Sequence, residues 1–92
     1  MKTITHQKAT ATYWFYKAAS LWQNGKWTDP KKAIEYLNKA IRLEPDHADA
    51  YYNRGIVYEN LGQRQRASED VREALRLKPD LALAYYDQGE HV

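Results

Sequence analysis

Apolar residues in this chain recur at intervals of three and four, the spacing of one helical face. Ala33, Ile34, Leu37, Ala40, Ile41 and Leu43 form one such stripe, and Ala67, Val71, Ala74, Leu75 and Leu77 form a second. The β-branched residues are scattered and do not alternate, so no strand is expected. Turn punctuation divides the pattern into five helices. The first is predicted from Thr10 to Asn24, with Gly25 in the turn. The second runs from Pro30 to about Leu43 and stops before Pro45, whose ring would clash with a continuing helix. The third runs from about Ala48 to Leu61, where Gly62 supplies a left-handed terminus. The fourth runs from about Gln65 to Leu77, before Pro79, and a fifth begins near Leu81 and reaches Val92.

The chain also matches itself. At an offset of 34 residues Ala33 meets Ala67, Ala40 meets Ala74, Leu43 meets Leu77 and Pro45-Asp46 meets Pro79-Asp80. Ala48, Ala50, Tyr51, Tyr52 and Gly55 meet Ala82, Ala84, Tyr85, Tyr86 and Gly89. A self-match at this period indicates stacked helical hairpins. Upstream the offset becomes 37, which lays Trp14, Phe15, Ala18, Leu21 and Gly25 over Tyr51, Tyr52, Gly55, Tyr58 and Gly62. The difference is Thr28-Asp29-Pro30, read as an insertion that lengthens a turn, leaves both helices intact and can be removed without loss of fold. Asp29 suits a helix cap and Pro30 the first helical position. The expected organisation is a polar leader over residues 1–10 and one domain over 11–92. Repeat one covers 11–47, repeat two 48–81, and residues 82–92 start a third.

Ala18, Gly55 and Gly89 fall at equivalent mid-helix positions. Glycine there costs about 1 kcal/mol relative to alanine, so its placement predicts that a neighbouring helix passes close by. Ala33 and Ala67 are the expected small partners on the facing helices.

These residues carry a family resemblance. The 34-residue period, the spacing of Tyr51, Gly55 and Tyr58, and that of Gly62, Ala67, Ala74 and Pro79 resemble the tetratricopeptide repeat. The segments Ala48-Asp49-Ala50-Tyr51-Tyr52-Asn53-Arg54-Gly55 and Leu61-Gly62-Gln63 are similar to its consensus. Departures are the insertion at Thr28, and Arg64, Ser68, Asp70 and Val71 in repeat two. The resemblance implies an all-α fold of antiparallel helix pairs stacked as a short right-handed superhelix. It also implies a concave face, lined by the first helix of each repeat, that receives an extended peptide or a helix. A carboxylate clamp for chaperone C-termini, which some members carry, does not transfer. Its expected basic and amide residues fall at Phe15, Ala19, Asn53, Leu83 and Asp87, and only Asn53 agrees.

Composition adds limits. Fourteen Lys and Arg against twelve Asp and Glu leave a net charge of +2, too small to suggest nucleic acid. The cluster Arg64, Arg66, Arg72 and Arg76 is interleaved with Glu69, Asp70 and Glu73, as on a solvated helix face. There is no cysteine for a disulfide or a thiolate ligand, and no apolar run long enough to span a bilayer. The compartment stays open, with the cytoplasm as the default. His6, His47 and His91 lie in the leader, an inter-repeat turn and the terminus, without the carboxylate spacing of a metal site. Ser20 has no evident base, and there is no phosphate-binding loop. No enzyme, cofactor or metal is expected.

Helical phase selects the candidate groove. If Trp14, Ala18 and Leu21 face the partner helix, the adjoining stripe on the first helix is Thr12, Phe15, Ala19, Trp22 and Gln23. On the third helix it is Asp49, Tyr52, Ile56, Glu59 and Asn60, with Asn53 flanking. On the fifth it is Leu83, Tyr86 and Glu90. Phe15, Ala19, Trp22, Tyr52, Asn53, Ile56, Glu59 and Tyr86 are therefore the predicted peptide-binding residues. Three readings of this face remain open: a groove for a partner's peptide or helix, self-association through the same rings, or packing within the chain. The first predicts that Phe15 and Tyr52 can be truncated without loss of fold.

Overall fold

The computed structural model describes residues 10–83. These form an all-α repeat structure of four helices in two antiparallel pairs: α1 (Ala11–Ala19) with α2 (Pro30–Leu43), and α3 (Ala48–Asn60) with α4 (Arg64–Leu77). Helix α2 also packs on α3 and so joins the two pairs. Residues 81–83 open a further helical turn. Residues 1–9 of the leader and 84–92 of the predicted third unit, including Tyr86, Gly89 and Glu90, lie outside the described residues.

The helix ends follow local chemistry. Thr10 Oγ1 accepts from Tyr13 N at 3.1 Å, and Asp29 Oδ1 accepts from Lys32 N at 3.1 Å with Pro30 in the first turn. At the end of α3, Gly62 adopts φ +80°, Gly62 N donates to Glu59 O and Gln63 N to Tyr58 O, each at 2.9 Å. These are the two bonds of a Schellman motif. His47 caps α3: its Nδ1 accepts from Ala50 N at 3.2 Å.

The core is a continuous cluster that includes Ala18, Ala33, Leu37, Ala40, Ala50 and Val57, all inaccessible to solvent. Small residues dominate because the helices approach closely. At Gly55 a Cβ would stand 2.9 Å from Val71 Cγ2, 3.1 Å from Ala67 O and 3.3 Å from Asp70 Cβ. The predicted close crossing is present, with Ala67 on the facing helix.

Beside this crossing lies a polar clamp. Arg54 Nε donates to Asp70 Oδ2 at 2.7 Å, and Nη2 donates to Asp70 Oδ1 at 2.8 Å. Its Nη1 donates to Asn38 Oδ1 at 2.8 Å, so one guanidinium links α2, α3 and α4. Asp70 is buried, and its two hydrogen bonds hold the Arg54 guanidinium above its usual pKa range against the opposing effect of burial. The Tyr51 and Tyr58 rings lie within 5.6 Å and 6.0 Å of the guanidinium carbon. Asp70, which departs from the family pattern, is therefore the buried half of a partly buried ion pair.

The largest departure from expectation is after α1. That helix ends at Ala19, well over one turn short of the predicted Asn24. Trp22–Gln23 (β1) and Lys26–Trp27 (β2) then pair antiparallel, with Trp22 opposite Trp27 and Gln23 opposite Lys26. The expectation of no strand, and of an insertion that leaves both helices intact, is thus corrected. The cause is Asn24-Gly25. Both residues have positive φ, +52° and +77°, the signs required by a type I′ hairpin turn. Thr28 is part of this unit: its backbone N and its Oγ1 both donate to Leu21 O, at 2.8 and 3.0 Å.

Two outcomes are expected. Gly55→Ala lowers the urea midpoint, although alanine gains about 1 kcal/mol of helix propensity. The Ala67 carbonyl belongs to the opposing backbone and cannot swing aside. Gly55→Leu costs about 3 kcal/mol or more; an unchanged midpoint for either variant would place the crossing elsewhere. Arg54→Leu costs about 3 kcal/mol because it strands a buried carboxylate, whereas Arg54→Leu combined with Asp70→Leu returns to within about 1 kcal/mol of the parent. Equal losses in the single and double variants, measured by equilibrium unfolding, would refute that account.

Candidate functional site

The hairpin creates a cavity between the two pairs. It measures about 370 Å³ and is lined by Ala19 at the end of α1, Trp22 and Trp27 on the hairpin, and Tyr52, Asn53 and Ile56 on α3. The lining is mainly apolar. Trp22 and Trp27 meet edge to face, with ring centroids 5.1 Å apart. Trp22 is the outer ring, 47% exposed, whereas Trp27 packs against the core as well as lining the cavity. The Trp27 indole nitrogen is buried without an acceptor among the described residues.

Five of the predicted residues, Ala19, Trp22, Tyr52, Asn53 and Ile56, line this one cavity. Glu59 follows Ile56 by three residues on α3 and is exposed. Helical phase predicts Phe15 on the groove stripe; in the structure it stacks on His47 with centroids 5.1 Å apart and packs against the core cluster. Tyr52 is only 8% exposed. Truncating either ring therefore removes packing, so the expectation that Phe15 and Tyr52 can be cut without loss of fold does not suit this geometry. Tyr86 lies outside the described residues. Trp27 was missed; the dipeptide Asn24-Gly25 between two tryptophans was the signal for it.

Other clusters hold less promise of chemistry. A second cavity, about 430 Å³, is lined by the Arg54 clamp with Tyr58, Arg66 and Glu69. On the surface, Arg76 bonds Glu73 at 2.6 and 3.2 Å, which lowers the Glu73 pKa. Among the described residues no group of three or more His, Cys, Asp or Glu is arranged to hold a metal. No described helix is long and apolar enough to cross a membrane.

A family profile described as tetratricopeptide repeat matches residues 20–89. The chain belongs to the tetratricopeptide repeat family. It is 37% identical over 59 residues to an uncharacterised protein of Methanocaldococcus jannaschii, an alignment that covers 64% of this chain and 65% of that one. Its fold is similar to the crystal structure of MamA, with a TM-score of 0.69 and 27% identity. That match covers 88% of this chain but only half of MamA. The chain thus spans less than two thirds of either relative. Its helical repeat fold is one suited to contact with other proteins.

The hairpin generates its own prediction. Gly25→Val places a β-branched residue at φ +77° and is expected to destabilise the turn by about 1–2 kcal/mol. The exciton-coupled circular dichroism of the Trp22–Trp27 pair should weaken in parallel. Deletion of Thr28-Asp29-Pro30 removes both bonds to Leu21 O and the cap of α2, and is expected to be more damaging still. A deletion variant that unfolds cooperatively at the parent midpoint would show that the hairpin is dispensable.

Proposed function

We propose that the chain is a protein-interaction module of two repeats, 11–47 and 48–81, that holds a partner's peptide or helix in the aromatic-lined groove between α1, the Trp hairpin and α3. The observation that carries this reading is the convergence of Ala19, Trp22, Trp27, Tyr52, Asn53 and Ile56 on one cavity with a half-exposed indole at its mouth. Large rings held on stiff elements offer contact area at low entropic cost, and they dominate peptide and protein interfaces. Asn53 supplies the polar group that orients a bound backbone. The family's use of its concave face agrees with this choice of surface.

The test separates surface from support. Trp22→Ala combined with Asn53→Ala is expected to weaken binding of a groove-selected peptide at least tenfold, about 1.4 kcal/mol, with a small change in thermal unfolding. Sedimentation across a dilution series decides the rival use of the same face. Self-association that disappears in the double variant would make the partner a second copy of the chain. Unchanged binding and unchanged sedimentation would remove this face from consideration.

A further inference from the structure

Building on that reading of the groove, we infer that the pocket walled by the Trp hairpin takes one apolar or aromatic side chain from a peptide that also carries a nearby basic residue, and that Glu59 receives the basic residue. The lining has no formal charge, and Asn53 is its one strongly polar side chain. The charges on the adjoining stripe of α3 are both carboxylates, Asp49 and Glu59. Asp49 already faces Lys78, with Nζ to Oδ2 at 3.6 Å. Glu59 is exposed and has no ion pair among the described residues. It also borders a separate cavity toward α4 with Arg64, but the two side chains form no ion pair.

Helical rise sets the spacing. Glu59 stands three residues beyond Ile56, about 4.5 Å along the axis, which is close to one residue or two of an extended peptide. The hairpin does not cancel this charge. Its register puts Trp22 and Trp27 on one face and Gln23 and Lys26 on the other, so Lys26 points away from the tryptophan side. The chain as a whole has a net charge of +2 and so offers basic peptides no general attraction. A preference for Lys or Arg in the ligand therefore reports on the local carboxylate.

The experiment uses a random twelve-residue peptide library displayed on phage. It is selected in parallel on the full chain, on Glu59→Gln and on Trp22→Ala, and selected sequences are then made as labelled synthetic peptides for fluorescence anisotropy. The expected result is enrichment of an apolar or aromatic residue with Lys or Arg within a few positions. Replacing that basic residue by Gln should weaken binding to the parent by about threefold to fivefold, as for a surface ion pair, and leave binding to Glu59→Gln unchanged. Added salt should erase the difference. Peptides that depend on Trp22 but bind equally well with Gln in place of Lys or Arg would overturn the inference and leave the groove reading standing. Selection of no peptide sensitive to Trp22→Ala would overturn both.

Discussion

The approach of α3 to α4 at Gly55 constrains most of what surrounds it. A Cβ there would sit 3.1 Å from a backbone oxygen of the opposing helix, so the two helices meet backbone to backbone. That closeness buries Asp70, whose Cβ lies beside the same point. A buried carboxylate without partners is strongly destabilising. Arg54, next to Gly55 on α3, answers it with two parallel hydrogen bonds and spends its third on Asn38 of α2. The clamp is thus a consequence of the crossing, and it in turn fixes how the second helix pair sits on the first.

The first pair solves the same problem with different chemistry. The residues equivalent to Arg54 and Asp70 are Lys17 and Tyr36, and the Lys17 ammonium lies 5.4 Å from the Tyr36 ring centroid. A cation over a ring needs no buried carboxylate. Ala18 replaces Gly55 at the crossing and is still completely buried. Trp14 reinforces the pair by packing on Tyr36, centroids 5.6 Å apart, with Lys39 above it. The two repeats therefore share a backbone arrangement but not the interactions that hold it.

The helix pairs, the caps at Asp29 and Gly62, and the crossing at Gly55 were legible in the sequence because each depends on local spacing or on a residue with one strong conformational preference. The Arg54–Asp70 pair was not, because its partners stand sixteen residues apart and Asp70 appeared only as a departure from the family pattern. The hairpin was hidden by periodicity. Trp14, Ala18 and Leu21 continue a helical stripe, and strands of two residues are too short to show alternation. Asn24-Gly25 has the composition of a helix end as well as that of a hairpin turn, and the chain uses it as the latter. Trp22 was chosen as a groove residue from a helical phase that the chain abandons at Ala19, and it reaches the cavity by another route. Phase alone does not reveal the stacking partner of Phe15, His47, which enters from the next turn.

The route taken by Trp22 explains why the departure from helix matters for the site. On a continuous helix residues 22 and 27 would lie about 140° apart around the axis, so one indole facing the groove would turn the other away. In the hairpin they are directly opposed cross-strand partners, on the same face and in edge-to-face contact. Trp27 is anchored by the core on one side and supports Trp22 on the other, which holds a half-exposed ring in a defined orientation. The last turn of a helix could offer one such ring, and fraying would blur its position. By ending α1 early at Ala19 and closing the chain with Asn24-Gly25, repeat one exchanges a helical turn for a two-tryptophan wall. Repeat two keeps its helix to Asn60, and so has no counterpart to that wall. The proposed groove is therefore asymmetric along its length, aromatic at the hairpin and acidic toward Glu59, an asymmetry that would give a bound peptide a direction.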